Sequence, residues 1–430
     1  MIEGLLQFLN DSPVNFLAVD SIARRLEEAG FDHLDPSVSW DDLPPGTQFY
    51  VTKNDSSLYA FRMGNSPLEE SGIRMISAHC DSPTFRIKPH AEMTSEGGVV
   101  RLNVEAYGGA IYSTWLDRPL SLAGRVILKT EDVMHPLTRL LHIRKPLLQI
   151  PNLAIHFNRG VNEGVRLSVQ KDMLPVMGIV TSELEKGNML LHTIADELEV
   201  DIEDILDFDL YLYDVTPACL VGVHNEFVSS GRLDDLSMVH AALTALVNAQ
   251  PDVPETTQLL AIFDNEETGS HTKQGAGSPF LSFVIKRLVS LQGGNEESFY
   301  RTVEKTFMIS ADNAHAVHPN HPEKAHPGNR PYLNKGIVIK YHGGQKYTTD
   351  AYTEAVMKEI CAEAEIAYQT YYNRSDIAGG STLGNISEGQ VSVPCVDIGL
   401  PQLAMHSAVE TAGSRDVSDL IRASEVFFNK

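Results

Sequence analysis

The first long pattern in the chain is an apolar stripe at helical spacing near its N-terminal end. Apolar residues recur there at intervals of three and four positions, at Phe16, Val19, Ile22 and Leu26. This spacing puts all of these side chains on one face of an α-helix, and a glycine soon afterwards favours the end of the helix. The pattern therefore predicts that an amphipathic helix over residues 15–30 opens the chain.

Short apolar runs further along the chain predict buried strands. Four such runs are Ile73–Ser77, Leu259–Asp264, Phe307–Ser310 and Cys395–Ile398. Continuous runs of about four to eight apolar residues are typical of strands that are covered on both faces. Residues 235–248 between them show helical spacing instead. Strands that alternate with helices favour an α/β fold with a largely parallel sheet.

The stretch from Pro89 to Pro217 has a different pattern. Its apolar segments are short and alternating, as in 99–104, 122–129 and 178–181, and turn residues are more frequent between them. Period-two alternation bounded by turn residues is typical of strands with one solvated face. One helix is predicted near residues 189–198. This part of the chain is therefore predicted to be rich in β-structure.

The length of the chain suits two domains. A single hydrophobic core stops growing at about 250–300 residues, and this chain has 430. The two patterns together predict an α/β protein in which a mixed, largely parallel sheet is flanked by helices and interrupted by a β-rich insertion. The catalytic domain would comprise residues 1–88 and 218–430, and the insertion would comprise residues 89–217.

Composition argues against several classes of protein. The chain has 34 Lys and Arg against 57 Asp and Glu, a formal net charge of -23, and no basic block, so no nucleic-acid partner is expected. Its apolar runs are too short to cross a bilayer, and Glu3 and Asp11 stand where a signal peptide needs positive charge. The four cysteines are not closely paired. We expect a cytoplasmic protein without a membrane partner.

Residue types that bind metals lie next to the predicted strands and at a predicted helix start. They are His79, Asp234, Glu266, Glu267, Asp312 and His406. Because ligands collect at the carboxyl ends of the strands in such sheets, we expect these side chains to lie close together. Carboxylates and imidazoles bind divalent cations, which lower the pKa of a bound water to about 7. The set predicts a dinuclear metallohydrolase with a general base.

Each of these residues also has an ordinary structural explanation when it is taken singly. Asp234 suits a helix N-cap, and the Glu266-Glu267 pair suits a solvated turn. One further position favours the metal site, because Asp81 lies two residues after His79, just beyond a predicted strand. The Asp81 carboxylate can therefore accept the second imidazole N–H and determine the tautomer of His79. The prediction depends on the conjunction of these positions.

Longer blocks of sequence resemble one known family. The blocks are SAHCDSPTFRIKP, YGGAIYSTWLDRPLSLAGRV, IPNLAIHFNR, GRLDDLS, DNEETGS, SADNAHAVHPN and PQLAMHS. In this order they resemble the aspartyl aminopeptidase and vacuolar aminopeptidase I family of zinc peptidases. The resemblance spans nearly the whole chain. It implies the zinc aminopeptidase fold, in which the β-rich insertion is a dimerisation domain.

The resemblance implies two zinc ions in each subunit, with two ligand sets that share one bridging aspartate. The sets are His79, Asp234 and Asp312 for one ion, and Asp234, Glu267 and His406 for the other. Co²⁺ or Mn²⁺ could occupy the same ligands, because such donor sets discriminate only modestly between divalent metals.

The resemblance also implies roles for residues other than the ligands. Glu266 would be the general base that takes a proton from the metal-activated water, and Asp81 would orient His79. His156, in IPNLAIHFNR, would reach into the active site of a neighbouring subunit, so that a homo-oligomer, expected to be a dodecamer built from dimers, is needed for activity. Lys340 matches a position near the substrate pocket, and a solvated lysine on a strand is the alternative.

These implications together predict a metal-dependent aminopeptidase. It would remove N-terminal residues, acidic or neutral, from peptides that have a free N-terminus. One alternative is another hydrolase on the same dinuclear scaffold, such as a carboxypeptidase or a deacylase. A second alternative is a non-catalytic assembly or cargo protein that keeps zinc for stability, but the presence of Glu266 argues against it.

A panel of matched peptides distinguishes the enzymatic alternatives. We expect the chain to hydrolyse peptides with a free N-terminus and to leave their N-acetylated counterparts intact, because one metal would hold the free α-amine. Release of the first residue is measured by chromatography for each pair. Cleavage of the acetylated member at the same rate would contradict an aminopeptidase and favour a deacylase or a carboxypeptidase.

Overall fold

The computed structural model describes residues 2–180, 188–250 and 253–430. The chain forms two compact units. The first comprises residues 1–81, 218–405 and 410–430, and the second comprises residues 82–217 and 406–409.

The helices of the described residues are distributed over both units. They are α1 (Ile2–Asp11), α2 (Asn15–Glu28), α3 (Leu68–Ser71), α4 (Val169–Asp172), α5 (Met189–Leu198), α6 (Leu233–Asn248), α7 (Phe280–Leu291), α8 (Glu296–Lys305), α9 (Ala351–Glu363), α10 (Leu383–Ser387) and α11 (Asp416–Phe428).

The strands of the first unit form two sheets. The larger contains β1 (Asp32–His33), β2 (Gln48–Lys53), β3 (Ser57–Arg62), β4 (Ile73–His79), β13 (Thr257–Phe263), β14 (Phe307–Ala311), β16 (Ile337–Tyr341), β17 (Tyr368–Tyr372) and β18 (Cys395–Gly399). The smaller contains β11 (Cys219–Val221), β12 (Phe227–Ser230), β15 (Ala314–His315), β19 (Pro401–Leu403) and β20 (Glu410–Gly413).

The strands of the second unit form one sheet. They are β5 (Thr84–Thr94), β6 (Val99–Tyr107), β7 (Leu120–Leu128), β8 (Leu137–His142), β9 (Val176–Ile179) and β10 (Ile205–Asp214).

The larger sheet of the first unit is mixed and largely parallel. In the described part of the chain its order is β1-β2-β3-β13-β4-β14-β18-β16-β17. The central neighbours β13, β4, β14 and β18 pair in parallel, whereas β3 and β16 pair with this centre in the antiparallel sense. The predicted α/β class is therefore confirmed, and all four predicted strand runs lie in this centre.

The surroundings of strand β13 explain the continuous apolar run in its sequence. Leu260 and Ile262 belong to a core cluster that also contains residues of α1, α2, α6 and α11. Leu259, Ala261 and Phe263 belong to a second cluster that contains residues of α7. Successive strand residues point to opposite faces, so helices on both faces require apolar residues at every position. Burial of each large side chain contributes roughly 1.5–3 kcal/mol.

The helix predicted from the first apolar stripe is confirmed as α2, and its Ile22 and Leu26 are buried. It does not open the chain, because α1 precedes it. Leu5, Phe8 and Leu9 of α1 are buried at helical spacing, a pattern the sequence also carries. The predicted helix over 235–248 is confirmed within α6.

The second unit contains a fully antiparallel sheet of order β8-β7-β10-β5-β6-β9 among its described residues. The predicted segments 99–104 and 122–129 lie in or overlap β6 and β7, and the helix predicted near 189–198 is α5. Thr181, the end of the third predicted segment, lies outside the described residues. Strand β5 spans the predicted boundary at residue 89, because it is part of this sheet.

Within the part of the chain that the structure describes, we find no helix that combines the length and the apolar character needed to span a bilayer.

The order of the central strands brings predicted site residues to one edge of the sheet. Strand β4 lies between β13 and β14, and all three run in parallel. His79 is the last residue of β4, Glu266 follows the end of β13, and Asp312 directly follows β14. Their positions at adjacent carboxyl ends provide the edge where α/β sheets bind ligands.

Candidate metal centre

The centre of the site is a buried group of one imidazole and two carboxylates. His79, Asp234 and Asp312 each offer a ligand atom, and these atoms lie within 4.8 Å of one another. His79 Nε2 is 3.6 Å from Asp234 Oδ1. Asp234 comes from the first turn of α6, His79 is the last residue of β4, and Asp312 directly follows β14. The three side chains can therefore converge on one cation.

A further group overlaps with the first. His79, Glu266 and Glu267 form it, with ligand atoms within 4.8 Å of one another. His406 lies just after β19, and its Nδ1 is 3.2 Å from the carbonyl oxygen of Gly109. A carbonyl contact on one ring nitrogen fixes the orientation of the imidazole.

Asp81 contacts both the histidine and the glutamate pair. The predicted carboxylate contact with His79 is long, with Oδ1 at 3.5 Å from Nδ1. The Asp81 carbonyl oxygen is closer to Nδ1, at 3.0 Å. Its carboxylate oxygens accept the backbone N–H groups of Glu266 and Glu267, at 3.1 Å each. Asp81 therefore positions the turn that carries the glutamates as well as the imidazole.

A second buried carboxylate supports this turn. Asp264 accepts two contacts of 3.0 Å from the side-chain amide of Asn15, at the start of α2. The next residue, Asn265, has a positive φ of 61°, and its Oδ1 accepts hydrogen bonds from Thr272 and Gln274. The backbone before Glu266 is therefore held from several directions.

The charges in this group disfavour ionised carboxylates. Burial, together with repulsion from Asp312 and Glu267, raises the pKa of Glu266 to about 9 against the opposing effect of His79. Burial raises the pKa of Asp235 and of Asp312 as well. Carboxylates gathered in a site of low dielectric favour the binding of cations.

The same carboxylates favour the protonated, positively charged form of the imidazole. Burial alone lowers the pKa of His79, but the contacts with Asp234 and Asp81 and the charge of Asp235 outweigh burial and raise this pKa well above its usual range. The site therefore attracts positive charge. Imidazole nitrogen and carboxylate oxygen are also zinc ligands, so the donor set fits zinc.

Lys340 is buried at the Asp312 side of the group. It is 2% exposed, which excludes the solvated alternative. Its Nζ donates to the carbonyl oxygens of Asp312 and Asn313, at 2.7 and 3.2 Å, and lies 3.2 Å from Asp312 Oδ1. These contacts occupy the three protons of the ammonium. Contact of Lys340 with substrate stays a prediction.

His156 lies on an exposed loop of the second unit. It is in none of the groups of potential metal ligands among the described residues. Its predicted role in a neighbouring subunit stays a prediction.

Several polar residues of the site were not found from the sequence. Asp235 accepts the backbone N–H of His79 at 3.2 Å, and Asn15, Asp264 and Asn313 also support the site. Asp235 lies next to Asp234 in the sequence, and Asp264 lies two residues before Glu266. These positions could have indicated that both acids belong to the site. Asn15 is 249 residues from Asp264 in the sequence, and no local pattern connects the two.

The chain matches a family model along nearly its whole length. The model of the aminopeptidase I zinc metalloproteases (M18) covers residues 8–428. The chain belongs to the M18 family of aminopeptidases. It is 49% identical over 425 residues to the probable M18 family aminopeptidase 2 of Clostridium novyi, a match that covers 99% of this chain and 98% of the relative.

Solved structures share the fold of this M18 aminopeptidase. The structure of Chaetomium thermophilum mApe1 has a TM-score of 0.89 at 31% identity and covers 100% of this chain and 97% of that one. The structure of the S. cerevisiae mApe1 dodecamer has a TM-score of 0.87 at 26% identity and covers 99% and 96%. The predicted family and the predicted aminopeptidase function are confirmed. This M18 aminopeptidase is a zinc metalloprotease that acts on peptides.

A glycine permits the close approach of two strand ends at the site. A Cβ on Gly399, at the end of β18, would overlap the carbonyl oxygen of Asp312 and lie 2.8 Å from the backbone nitrogen of Ala314. Neighbouring backbone cannot yield as a flexible side chain can. The position of Asp312 therefore depends on the absence of a side chain at residue 399.

We expect Gly399→Ala to lower the free energy of unfolding by about 1–3 kcal/mol, the usual cost of overpacking, and to weaken zinc binding by displacing Asp312. Thermal unfolding with and without added zinc measures both effects. Gly343→Ala is the matched control, because a Cβ there meets no atom within 4 Å. Equal stability and zinc response of the two variants would show that the contact is unimportant.

Proposed function

We propose that this aminopeptidase binds two zinc ions in each subunit. His79, Asp234 and Asp312 would hold one ion, and Asp234, Glu267 and His406 the other. The observation that carries this proposal is the overlap of two groups of ligand atoms at His79, each within 4.8 Å, which together offer four carboxylates. Four carboxylates around one imidazole suit more than one divalent cation.

When bound, zinc would supply a Lewis acid that polarises the scissile carbonyl and acidifies water. Residues of the protein would carry out the proton transfers. Glu266 would take a proton from the attacking water and return it to the leaving amine. Glu266 lies beside His79 and Glu267 but outside the two ligand sets, so its carboxylate is left for this task.

Asp81 would position the residues that react without touching the substrate. Its carboxylate accepts the backbone N–H groups of Glu266 and Glu267, and its carbonyl oxygen contacts His79. The general base and the two neighbouring ligands would therefore be held by one side chain. Correct orientation of reacting groups can contribute several kcal/mol to a barrier.

The general base is tested by removing only its charge. We expect Glu266→Gln to retain zinc and the melting temperature while turnover falls roughly a hundredfold or more, the scale of general acid-base catalysis. Zinc content, thermal unfolding and initial rates are measured on the same sample.

Glu267→Gln is the matched variant, because it makes the same change on the adjacent residue. It should lose zinc together with activity, since Glu267 is a proposed ligand. Near-normal turnover in zinc-loaded Glu266→Gln would exclude the proposed base. Loss of zinc from both variants would mean that the roles of the two glutamates are not distinct.

The substrates would be peptides with a free N-terminus and an acidic or neutral first residue. Lys340 is the proposed basic group near the substrate pocket. Burial alone lowers the pKa of this lysine, but the charges of Asp312 and Asp397 outweigh burial and raise it. The ammonium is therefore a permanent positive charge beside the proposed ligand Asp312.

We propose that the second unit is a dimerisation domain and that the protein forms a homo-oligomer, with a dodecamer as the expected form. The support is the fold shared with the S. cerevisiae mApe1 dodecamer. His156 lies exposed on its loop, as a residue must that enters a neighbouring subunit. It would donate a hydrogen bond to the oxyanion of the tetrahedral intermediate.

The oligomer and the role of His156 are tested together. We expect a mass well above that of a monomer by light scattering, and His156→Ala should lower kcat by about a hundredfold, as loss of an oxyanion donor does. His135→Ala is the control, because His135 is also an exposed histidine of the second unit. A stable monomer with full activity would contradict both the assembly and the role of His156 across subunits.

A reducing compartment such as the cytoplasm suits the cysteines. All four are free thiols, and Cys80, Cys361 and Cys395 are buried. Disulfides are rare in cytoplasmic proteins. We propose this location on that basis.

A further inference from the structure

We propose that Asn313 is a positioning residue that sets the spacing of the metal ligands Asp234 and Asp312. The inference rests on the proposed function, because it takes these two aspartates as zinc ligands. Asn313 makes its side-chain contacts with Leu233, Ser237 and Gln402, none of which is a proposed zinc ligand. Its effect would be exerted through the backbone segments that carry the ligands.

The side-chain amide of Asn313 joins three parts of the first unit. Its Nδ2 lies 2.7 Å from the carbonyl oxygen of Leu233, 2.9 Å from Ser237 Oγ and 2.9 Å from Gln402 Oε1. Ser237 also donates to Asn313 Oδ1 at 3.3 Å or to the Leu233 carbonyl at 2.7 Å. Asn313 is 3% exposed, so water does not compete for these contacts.

Asn313 acts directly beside both ligands, beside one through a hydrogen bond and beside the other through the backbone. Leu233 precedes Asp234, so the bond to its carbonyl oxygen anchors the peptide from which Asp234 extends. Asn313 follows Asp312 in the chain, so its backbone is bonded directly to the second ligand residue. One side chain therefore spans the two ligand-bearing segments, which are 80 residues apart at the bonded pair.

The network continues to the N–H edge of the same Leu233–Asp234 peptide bond. Gln402 Nε2 is 3.5 Å from Glu410 Oε1, and Glu410 Oε2 accepts the backbone N–H of Asp234 at 3.1 Å. Both Gln402 and Glu410 are buried. Asp234 is therefore held through the carbonyl on its N-terminal side and through its own N–H, and both bonds lead back to Asn313.

Electrostatics explains why such a restraint is needed. Asp234 and Asp312 offer carboxylate oxygens within 4.8 Å of one another, so the two repel each other when both are ionised. Without a restraint, the segments could separate to relieve this repulsion. The network opposes separation because breaking it would leave buried acceptors without donors, at about 1–3 kcal/mol for each group.

The same contacts could also serve only the stability of the core. The two roles differ in what they predict. A residue that only stabilises the core would lower the melting temperature without changing zinc affinity. A positioning residue changes zinc affinity even where the protein remains folded, and partners that orient metal ligands typically affect affinity by about 10–100-fold.

The test is Asn313→Leu, which keeps the approximate volume and removes the amide. We expect its zinc dissociation constant, measured by competition with a chromophoric chelator, to rise at least about tenfold. Activity should recover partly with excess zinc, and KM for peptide at saturating zinc should stay near that of the unmodified chain. Unchanged zinc affinity in folded Asn313→Leu would overturn the proposal.

Gln258→Met is the matched control. Gln258 is a buried amide of the same unit that donates to the carbonyl oxygen of Phe428 at 2.9 Å, and it lies at the other end of β13 from the glutamate pair. It should lower the melting temperature and leave zinc affinity unchanged. An equal loss of zinc affinity in this control would assign the effect to general destabilisation and overturn the proposal.

Milder variants cover the case in which Asn313→Leu does not fold. Ser237→Ala and Gln402→Met each remove one partner of Asn313 and should each raise the zinc dissociation constant. Unchanged affinity in both would overturn the proposal.

Asp312→Asn separates this inference from the proposed function. If Asp312→Asn binds zinc normally, the proposed ligand set is wrong. If Asp312→Asn loses zinc while Asn313→Leu retains full affinity, only the role of Asn313 is wrong.

Discussion

The gathering of buried carboxylates at one edge of a parallel sheet is the constraint on which the rest of this structure depends. Asp234, Glu267 and Asp312 come within ligand distance of one another or of His79. Like charges in a site of low dielectric are costly unless a cation or a donor compensates them. Zinc binding satisfies that demand, and it is the property of the M18 family to which the chain belongs.

Polar contacts around the cluster compensate this repulsion between the carboxylates. Asp81 accepts two backbone N–H groups of the glutamate turn, Lys340 places its ammonium against Asp312, and Asn313 connects the peptides beside two of the acids. Each contact joins segments that are distant in sequence. The geometry of the acids therefore depends on tertiary contacts that the apolar core on both faces of the sheet keeps in place.

Sequence reasoning succeeded where the pattern was local. The run Leu259–Asp264 predicted β13, because a strand buried on both faces must be apolar at every position. The acid or histidine after each run could be placed at a strand end for the same reason. The polar supports were missed because asparagine residues such as Asn15 carry no pattern that points to their partners. The helix α1 was missed although its stripe was present.

By itself the sequence determined the α/β class, the central strands, the family and the set of residues that could bind metal, because these follow from periodicity and from short blocks of residues. Only the tertiary structure decided which acids converge, and that Lys340 lies buried beside Asp312 rather than in solvent. The reason is physical. Distances between side chains from separate strands depend on sheet order and on close approaches such as that of Gly399 to Asp312, which no local pattern encodes.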